Sequence, residues 1–145
     1  MMKKLLYKTF ILSMSIWAIS CSKDSPIATK TKKELLTGNT WLYDEYYRNY
    51  NTTNAILYYK KNQGSNLLNL SINRVTYKTD GTYTEINETG ATLNGTWIFL
   101  NNETQVQVTN SYGTFTSTIM LLDQTHYNWL DQTASNGTFG KMIPQ

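Results

Sequence analysis

Apolar and polar side chains alternate with a period of two along most of the chain from residue 39 onward. Trp97 and Phe99 fall on one side of the polypeptide and Ile98 on the other. Because successive side chains of a strand point to opposite faces, this pattern predicts strands with one buried and one wet face. The same spacing places two further sets on single faces: Val106 with Val108, and Phe115 with Ser117, Ile119 and Leu121.

Turn residues divide this region into short strands rich in β-branched and aromatic residues. Asp80 and Gly81 are typical of a two-residue hairpin connection. Eight strands are predicted, near residues 40–50, 55–61, 71–79, 82–87, 93–100, 104–110, 114–122 and 126–130. Segment 62–70 is compatible with a long loop, a bulged strand or a poorly paired edge. The tail, 135–145, has the composition for one more short strand through Thr138 and Phe139.

Short antiparallel strands in succession close most economically as an up-and-down barrel or a strongly curled sheet. A short helix is predicted before them, because Thr31 and Glu34 have the spacing of a capping box. Gly38 stands where that helix would end. The predicted fold class is therefore all-β, an eight-stranded antiparallel barrel with a short N-terminal helix, over residues 34–145.

The first twenty residues have the three parts of a secretory signal. Lys3, Lys4 and Lys8 form a positive start, residues 9–19 form an apolar run, and small residues precede Cys21. A run of about eleven residues is too short to cross a bilayer core of about 30 Å as a helix. We therefore predict a signal peptide over residues 1–20 rather than a retained transmembrane anchor.

Cys21 is the only cysteine of the chain. Residues 18–21 (Ala-Ile-Ser-Cys) resemble a bacterial lipobox, in which the cysteine is acylated and becomes the first residue of the mature protein. Ordinary cleavage after Ser20 is the alternative, and it would leave a free thiol at the mature terminus. We favour lipid attachment at Cys21, with residues 21–33 as a flexible tether.

The residues after Cys21 bear on location. Ser22, Lys23 and Asp24 resemble part of the surface-export signal that some Gram-negative lipoproteins carry. This resemblance implies an exported protein held on the outer membrane by its lipid, with the cell-surface side favoured over the periplasmic side.

The net charge of +3 comes from the leader. Lys3, Lys4 and Lys8 account for three of the 13 basic residues, so ten basic and ten acidic side chains follow. A mature chain with no net charge gives no support for nucleic-acid binding, which needs a concentrated positive patch.

Four short stretches carry a family resemblance. They are residues 36–41 (LTGNTW), 77–83 (YKTDGTY), 94–97 (NGTW) and 119–123 (IMLLD). In this order after a lipobox, they resemble the lipocalin-like domain of bacterial lipoproteins. The resemblance implies an eight-stranded barrel or near-barrel with a small apolar ligand held in its mouth.

The sequence offers little for catalysis. His126 is the only histidine, which excludes a multi-histidine zinc site. Asp123, His126 and Asp131 could form a hydrolase set with Ser111 or Ser117, but no serine stands in a sharp exposed turn. His126 is therefore interpreted as a polar hairpin residue.

Glycosidase-like chemistry requires two carboxyl groups at one site, and the sequence has two pairs of nearby acids. Asp44 and Glu45 are adjacent in a strand and face opposite sides, whereas Glu85 and Glu88 straddle the end of another strand. Neither pair is expected to share a site. No glycine pattern of a phosphate-binding loop is present. We predict a protein that is not an enzyme and needs no cofactor.

Aromatic residues are the remaining functional feature, with four tryptophans and eleven tyrosines in the chain. They suit half-buried strands, and they also suit a binding face for a lipid, a sugar or a protein. Candidates for lining a ligand site are Trp41, Tyr43, Tyr77, Trp97, Phe99 and Phe115.

The predicted function is that of a membrane-anchored envelope lipoprotein whose barrel binds a small hydrophobic ligand. The alternative is a structural or accessory lipoprotein with a filled barrel, which uses its aromatic outer face to bind another envelope protein.

Overall fold

The computed structural model describes residues 29–131 and 136–145. The leader and Cys21 lie outside these ranges. Within them the chain forms one helix and nine strands. In chain order these are α1 (Lys32–Thr37), β1 (Thr40–Arg48), β2 (Ile56–Lys60), β3 (Arg74–Tyr77), β4 (Thr82–Ile86), β5 (Thr92–Leu100), β6 (Gln105–Asn110), β7 (Gly113–Leu122), β8 (Tyr127–Asp131) and β9 (Thr138–Pro144).

The strands form a closed antiparallel barrel. Strands β3 to β9 pair in sequence order, and β1 pairs with both β3 and β9. The ring therefore contains eight strands, β1 and β3 to β9, while β2 is an additional strand on the second half of β1. The prediction of an eight-stranded antiparallel barrel is confirmed, and the sheet is closed rather than merely curled.

The additional strand that the tail composition allowed through Thr138 and Phe139 is present and is longer than predicted. The tail forms the full strand β9, which pairs with β1 from Trp41 to Arg48 and so closes the barrel. By contrast, the predicted second strand forms β2 outside the ring. The alternation in β9 is interrupted by Gly140 and Lys141, so local composition did not distinguish a closing strand from a mixed tail.

The helix α1 covers one end of the barrel, called here the closed end. Its capping box is present as predicted: Glu34 N donates to Thr31 Oγ1 at 3.2 Å, and Thr31 N donates to Glu34 Oε2 at 2.7 Å. Leu36 is fully buried, and Trp41 Nε1 donates to its carbonyl oxygen at 2.9 Å. This hydrogen bond joins the end of the helix to the start of β1.

Apolar side chains fill the barrel near the closed end. The buried cluster consists of Leu36, Trp41, Val75, Tyr77, Tyr83, Trp97, Val106, Tyr127 and Met142. Trp41 and Tyr127 pack with ring centroids 5.6 Å apart, and Trp97 Nε1 donates to the carbonyl of Lys78 at 2.9 Å. Both buried indoles thus have partners for their N–H groups.

A bulge in β7 places Leu121 on the outer face of the barrel, where the sequence pattern had predicted it on the inner face. The register with β8 shifts between Ile119 and Leu121, so an extra residue enters the strand. Leu121 is consequently 42% exposed, and its neighbour Leu122 packs against the core instead. The inward set of β7 is Phe115, Ser117, Ile119 and Leu122, so Leu122 takes the place predicted for Leu121.

The β3–β4 connection differs from the predicted one, and the structure decides between the alternatives for segment 62–70. Lys78 N donates to Thr82 O at 2.9 Å, which closes a three-residue loop with Gly81 at φ 84°, rather than a two-residue loop. Segment 62–70 is a loop, and Asn66 bonds the backbone N and O of Lys60.

A charged cluster ties β1 to strands on both sides. Glu45 is buried, and its carboxylate lies 2.6 Å from Lys141 Nζ of β9 and 3.1 Å from Lys60 Nζ of β2. Tyr47 also donates its hydroxyl to Glu45 Oε2 at 3.0 Å. The hydrogen bond from Lys141, with help from Lys60 and Tyr47, lowers the pKa of Glu45 to about 2.

Glu45→Gln should lower the free energy of unfolding at pH 7 by about 1 to 2 kcal/mol, since both lysines are partly exposed and screened. A carboxyl with a lowered folded pKa stabilises above its unfolded pKa of about 4.3 and loses that effect in acid. The difference from wild type should therefore shrink as pH falls from about 5 toward 2. Urea unfolding over this range measures it, and a difference independent of pH would contradict the assignment.

Candidate ligand-binding cavity

The barrel encloses a cavity of about 400 Å³. Every strand of the eight-stranded ring contributes to its wall, whereas β2 contributes no residue. The lining residues are Tyr43, Val75, Tyr77, Tyr83, Glu85, Asn87, Glu88, Leu93, Val108, Asn110, Tyr112, Phe115, Thr116, Ser117, Tyr127, Trp129, Asp131 and Met142. The cavity is therefore the barrel interior.

The cavity lies toward the end of the barrel opposite α1. Glu88 and Tyr112 belong to the β4–β5 and β6–β7 turns, which stand at that end. Tyr112 is 72% exposed and Phe115 is 44% exposed, although both line the cavity. These two rings mark its mouth.

The cavity wall consists mainly of side chains from the inward faces of the strands, where every second residue points toward the interior. On β4 this rule brings Tyr83 and Glu85 to the same side. On β8 it brings Tyr127, Trp129 and Asp131 to the same side. The wall therefore combines aromatic rings with carboxylates.

Aromatic rings pack edge to face along one wall of the cavity. Tyr43 and Trp129 have ring centroids 6.4 Å apart at 71°, and Tyr77 and Tyr127 have centroids 5.9 Å apart at 85°. Tyr77 also packs against Tyr83 at 5.5 Å. Each ring is held by a neighbour, so the wall is largely formed without a ligand.

Gly140 of β9 provides the surface on which Trp129 lies. The two residues are cross-strand partners, and a Cβ at position 140 would stand 2.5 Å from Trp129 Cε2. Any larger residue would displace the indole. The position of Trp129 in the wall thus depends on a glycine in the neighbouring strand.

The lining is acidic. Glu85, Glu88 and Asp131 belong to it, and no described residue of the lining is Lys, Arg or His. Glu85 accepts a hydrogen bond from the Tyr83 hydroxyl, but burial raises the pKa of its carboxyl and the nearby Glu88 raises it further. Burial also raises the pKa of Tyr43 well above its usual value, with a contribution from the charge of Glu85.

The acids do not form a metal site. In residues 29–131 and 136–145, no group of three or more His, Cys, Asp and Glu side chains is placed to hold a metal ion. The arrangement can bind a molecule through aromatic contact and negative charge, but it offers no converging set of metal ligands.

Of the six residues predicted to line a ligand site, the structure brings Tyr43, Tyr77 and Phe115 to the cavity. The other three lie elsewhere in the inward face. Trp41 is fully buried near the closed end, and Trp97 packs against Phe99 with ring centroids 5.2 Å apart.

The expectation that Glu85 and Glu88 do not share a site was wrong, because both line the cavity. The strand ends at Ile86, so Glu88 follows in the turn and lies beside the same opening. Sequence reasoning also missed Tyr127 and Trp129. The sequence did contain a signal that Glu85 points inward, since it lies two positions from Tyr83 in the same strand.

His126 lies in the β7–β8 turn, outside the cavity lining. Asp123 Oδ1 accepts hydrogen bonds from the backbone of Thr125 and His126 at 2.7 and 2.8 Å. Thr125 Oγ1 lies 2.8 Å from His126 Nδ1. These hydrogen bonds are typical of an exposed turn, which is the role predicted for His126.

Comparison with solved structures shows the lipocalin-like fold. The chain is similar to a lipocalin-like protein from Bacteroides uniformis ATCC 8492, with 9% sequence identity and a TM-score of 0.50. The alignment covers 74% of this chain and 96% of that protein. No protein-family model matches the sequence, and no curated protein matches it significantly. At this identity the similarity concerns the fold.

No helix within the described part of the chain is long and apolar enough to cross a membrane.

Proposed function

We propose that this protein is an envelope lipoprotein, anchored through a lipid on Cys21, whose barrel binds a small hydrophobic molecule. The observation that supports binding is the cavity of about 400 Å³ inside the ring. Side chains can completely fill an eight-stranded barrel, so an interior left open at this size is a specific feature. The volume lies in the range of about 300 to 1,000 Å³ of small-molecule sites.

The open interior favours this function over the accessory role with a filled barrel. Seven of the eighteen lining residues are aromatic, several of these rings pack against one another, and Tyr112 and Phe115 are exposed at the mouth. A preformed wall with an exposed entrance reduces the ordering cost of binding.

The cavity can be tested with N-phenyl-1-naphthylamine, an uncharged fluorescent probe. We expect the purified full chain to bind it with energy transfer from tryptophan. Leu93→Trp, which adds a large ring to the lining, should weaken binding at least about tenfold, or about 1.4 kcal/mol.

Thr92→Trp is the matched control, because Thr92 is the preceding residue of β5, is exposed and is not part of the lining. It should leave binding unchanged. Thermal unfolding establishes that both variants are folded. Equal probe affinities in the two variants would exclude the barrel interior as the site.

The anchor is tested by mass spectrometry of protein extracted from the membrane fraction. We expect a mature chain that begins at Cys21 and carries added acyl mass. In Cys21→Ala the protein should leave the membrane fraction, since acyl chains supply most of the anchoring. A mature chain beginning at Cys21 without acyl mass would refute the anchor.

The proposed location is the outer membrane, with the domain on the cell surface. Protease added to intact cells should then cleave the domain.

A further inference from the structure

We propose that the cavity binds an organic cation: a molecule with an ammonium group and an apolar body. This inference rests on the proposed ligand-binding function and adds the charge of the ligand. It follows from the combination of aromatic rings and carboxylates around one cavity.

The first argument is the charge of the wall. Glu85 and Glu88 both line the cavity, and none of the described lining residues is basic. Glu45 is a useful contrast within the same chain, because two lysine ammonium groups lie within 3.1 Å of its carboxylate. The hydrogen bond to Glu85 comes instead from the neutral phenol of Tyr83. A ligand cation would provide Glu85 and Glu88 with a positive charge, as Lys60 and Lys141 do for Glu45.

The second argument is the aromatic wall. Tyr43 and Trp129 meet edge to face, so the two rings present different orientations to the same space. A cation within about 6 Å of a ring face is attracted by the ring quadrupole, most strongly by tryptophan. Aromatic walls with nearby carboxylates therefore suit an alkylated ammonium group, whose methyl groups also contact the rings.

The third argument is the energetic state of Glu85. Burial raises the pKa of its carboxyl, and Glu88 adds to this, so the carboxylate is less stable in the cavity than it would be in water. A cation would stabilise the ionised carboxylate, an uncharged ligand would not, and an anion would add repulsion. The described residues also provide no three-ligand metal group, which favours an organic cation over a metal ion.

The test compares two probes of the same shape. Phenyltrimethylammonium and tert-butylbenzene differ in the replacement of a charged nitrogen by carbon. We expect the full chain to bind the cation about tenfold more tightly, because cation–π and carboxylate interactions act only on the charged probe. Quenching of tryptophan fluorescence, with Trp129 in the wall, reports binding of both.

Glu85→Gln keeps the shape of the side chain and removes its charge. It should weaken binding of phenyltrimethylammonium about tenfold and leave tert-butylbenzene unchanged. Glu88→Gln should have the same selective effect, and is the second variant if Glu85→Gln does not fold. Glu103→Gln is the control, since Glu103 is an exposed acid of the β5–β6 turn outside the lining.

The outcomes separate this inference from the proposed function. Selective loss of cation binding in the Glu85 and Glu88 variants supports the organic cation. Equal affinity for the two probes, or equal effects of Glu103→Gln and Glu85→Gln, overturns it while leaving an uncharged ligand in the cavity. If N-phenyl-1-naphthylamine and both small probes fail to bind, the proposed ligand-binding function fails as well.

Discussion

Trp41→Ala should lower the free energy of unfolding by about 4 kcal/mol, the largest effect expected for a single change in this protein. Trp41 is fully buried and packs against Tyr127 with ring centroids 5.6 Å apart. Its Nε1 also donates to Leu36 O at 2.9 Å. Alanine would leave a cavity under α1 and an unpaired carbonyl at the end of that helix.

Urea unfolding followed by far-UV circular dichroism measures this loss. Trp41→Phe is the comparison, because it keeps most of the ring and removes the hydrogen bond, and we expect a loss of about 1 to 2 kcal/mol. A domain has about 5 to 15 kcal/mol in total, so the alanine variant should be marginal at 37 °C. A loss below about 1 kcal/mol for Trp41→Ala would show that α1 is not held by this residue.

Gly140→Val should lower the free energy of unfolding by about 3 kcal/mol and weaken probe binding. A Cβ at this position would stand 2.5 Å from Trp129 Cε2 and 2.7 Å from Cζ2 and Nε1. The indole must therefore move, and the cavity is the open space beside it. Stability and ligand binding should fall together.

Gly64→Val is the matched control, because no atom beyond the adjacent residues lies within 4 Å of a Cβ at Gly64. It should change stability by less than about 0.5 kcal/mol. Combining Gly140→Val with Trp129→Leu should recover part of the lost stability, since the smaller side chain removes the clash. If the effects of the two changes were simply additive, the contact between Gly140 and Trp129 would not be the cause.

Local patterns predicted most of the elements. The capping box at Thr31 is present, and β4, β5 and β6 lie within a residue or so of their predicted positions. These features depend on residues close together in the chain: a side chain that bonds its own helix terminus, or strands with a strict period of two. The barrel class followed from the number and shortness of the strands.

Features that depend on distant residues were not predictable in this way. A short strand in the tail was predicted, but β9 extends to Pro144 and closes the ring because β1 and β8 both pair with it. Leu121 is exposed because a bulge in β7 reverses the faces after Ile119. Neither partner strands nor bulges are visible in local alternation.

The candidate site illustrates the same division. Tyr43, Tyr77 and Phe115 reach the cavity, while Trp41 and Trp97 were predicted on the same grounds and lie in the buried cluster outside its lining. A period of two determines whether a side chain points inward, but its height in the barrel depends on strand tilt and on how the ring closes.

The sequence by itself therefore determined the strands, the helix start and a set of inward-facing rings, because each depends on neighbouring residues. Only the tertiary structure decided that eight of nine strands form the ring, that the interior is packed beneath α1 and open toward the other end, and that Glu85 and Glu88 share the cavity. These properties arise from contacts between residues far apart in the chain, and those contacts exist only once the barrel is closed.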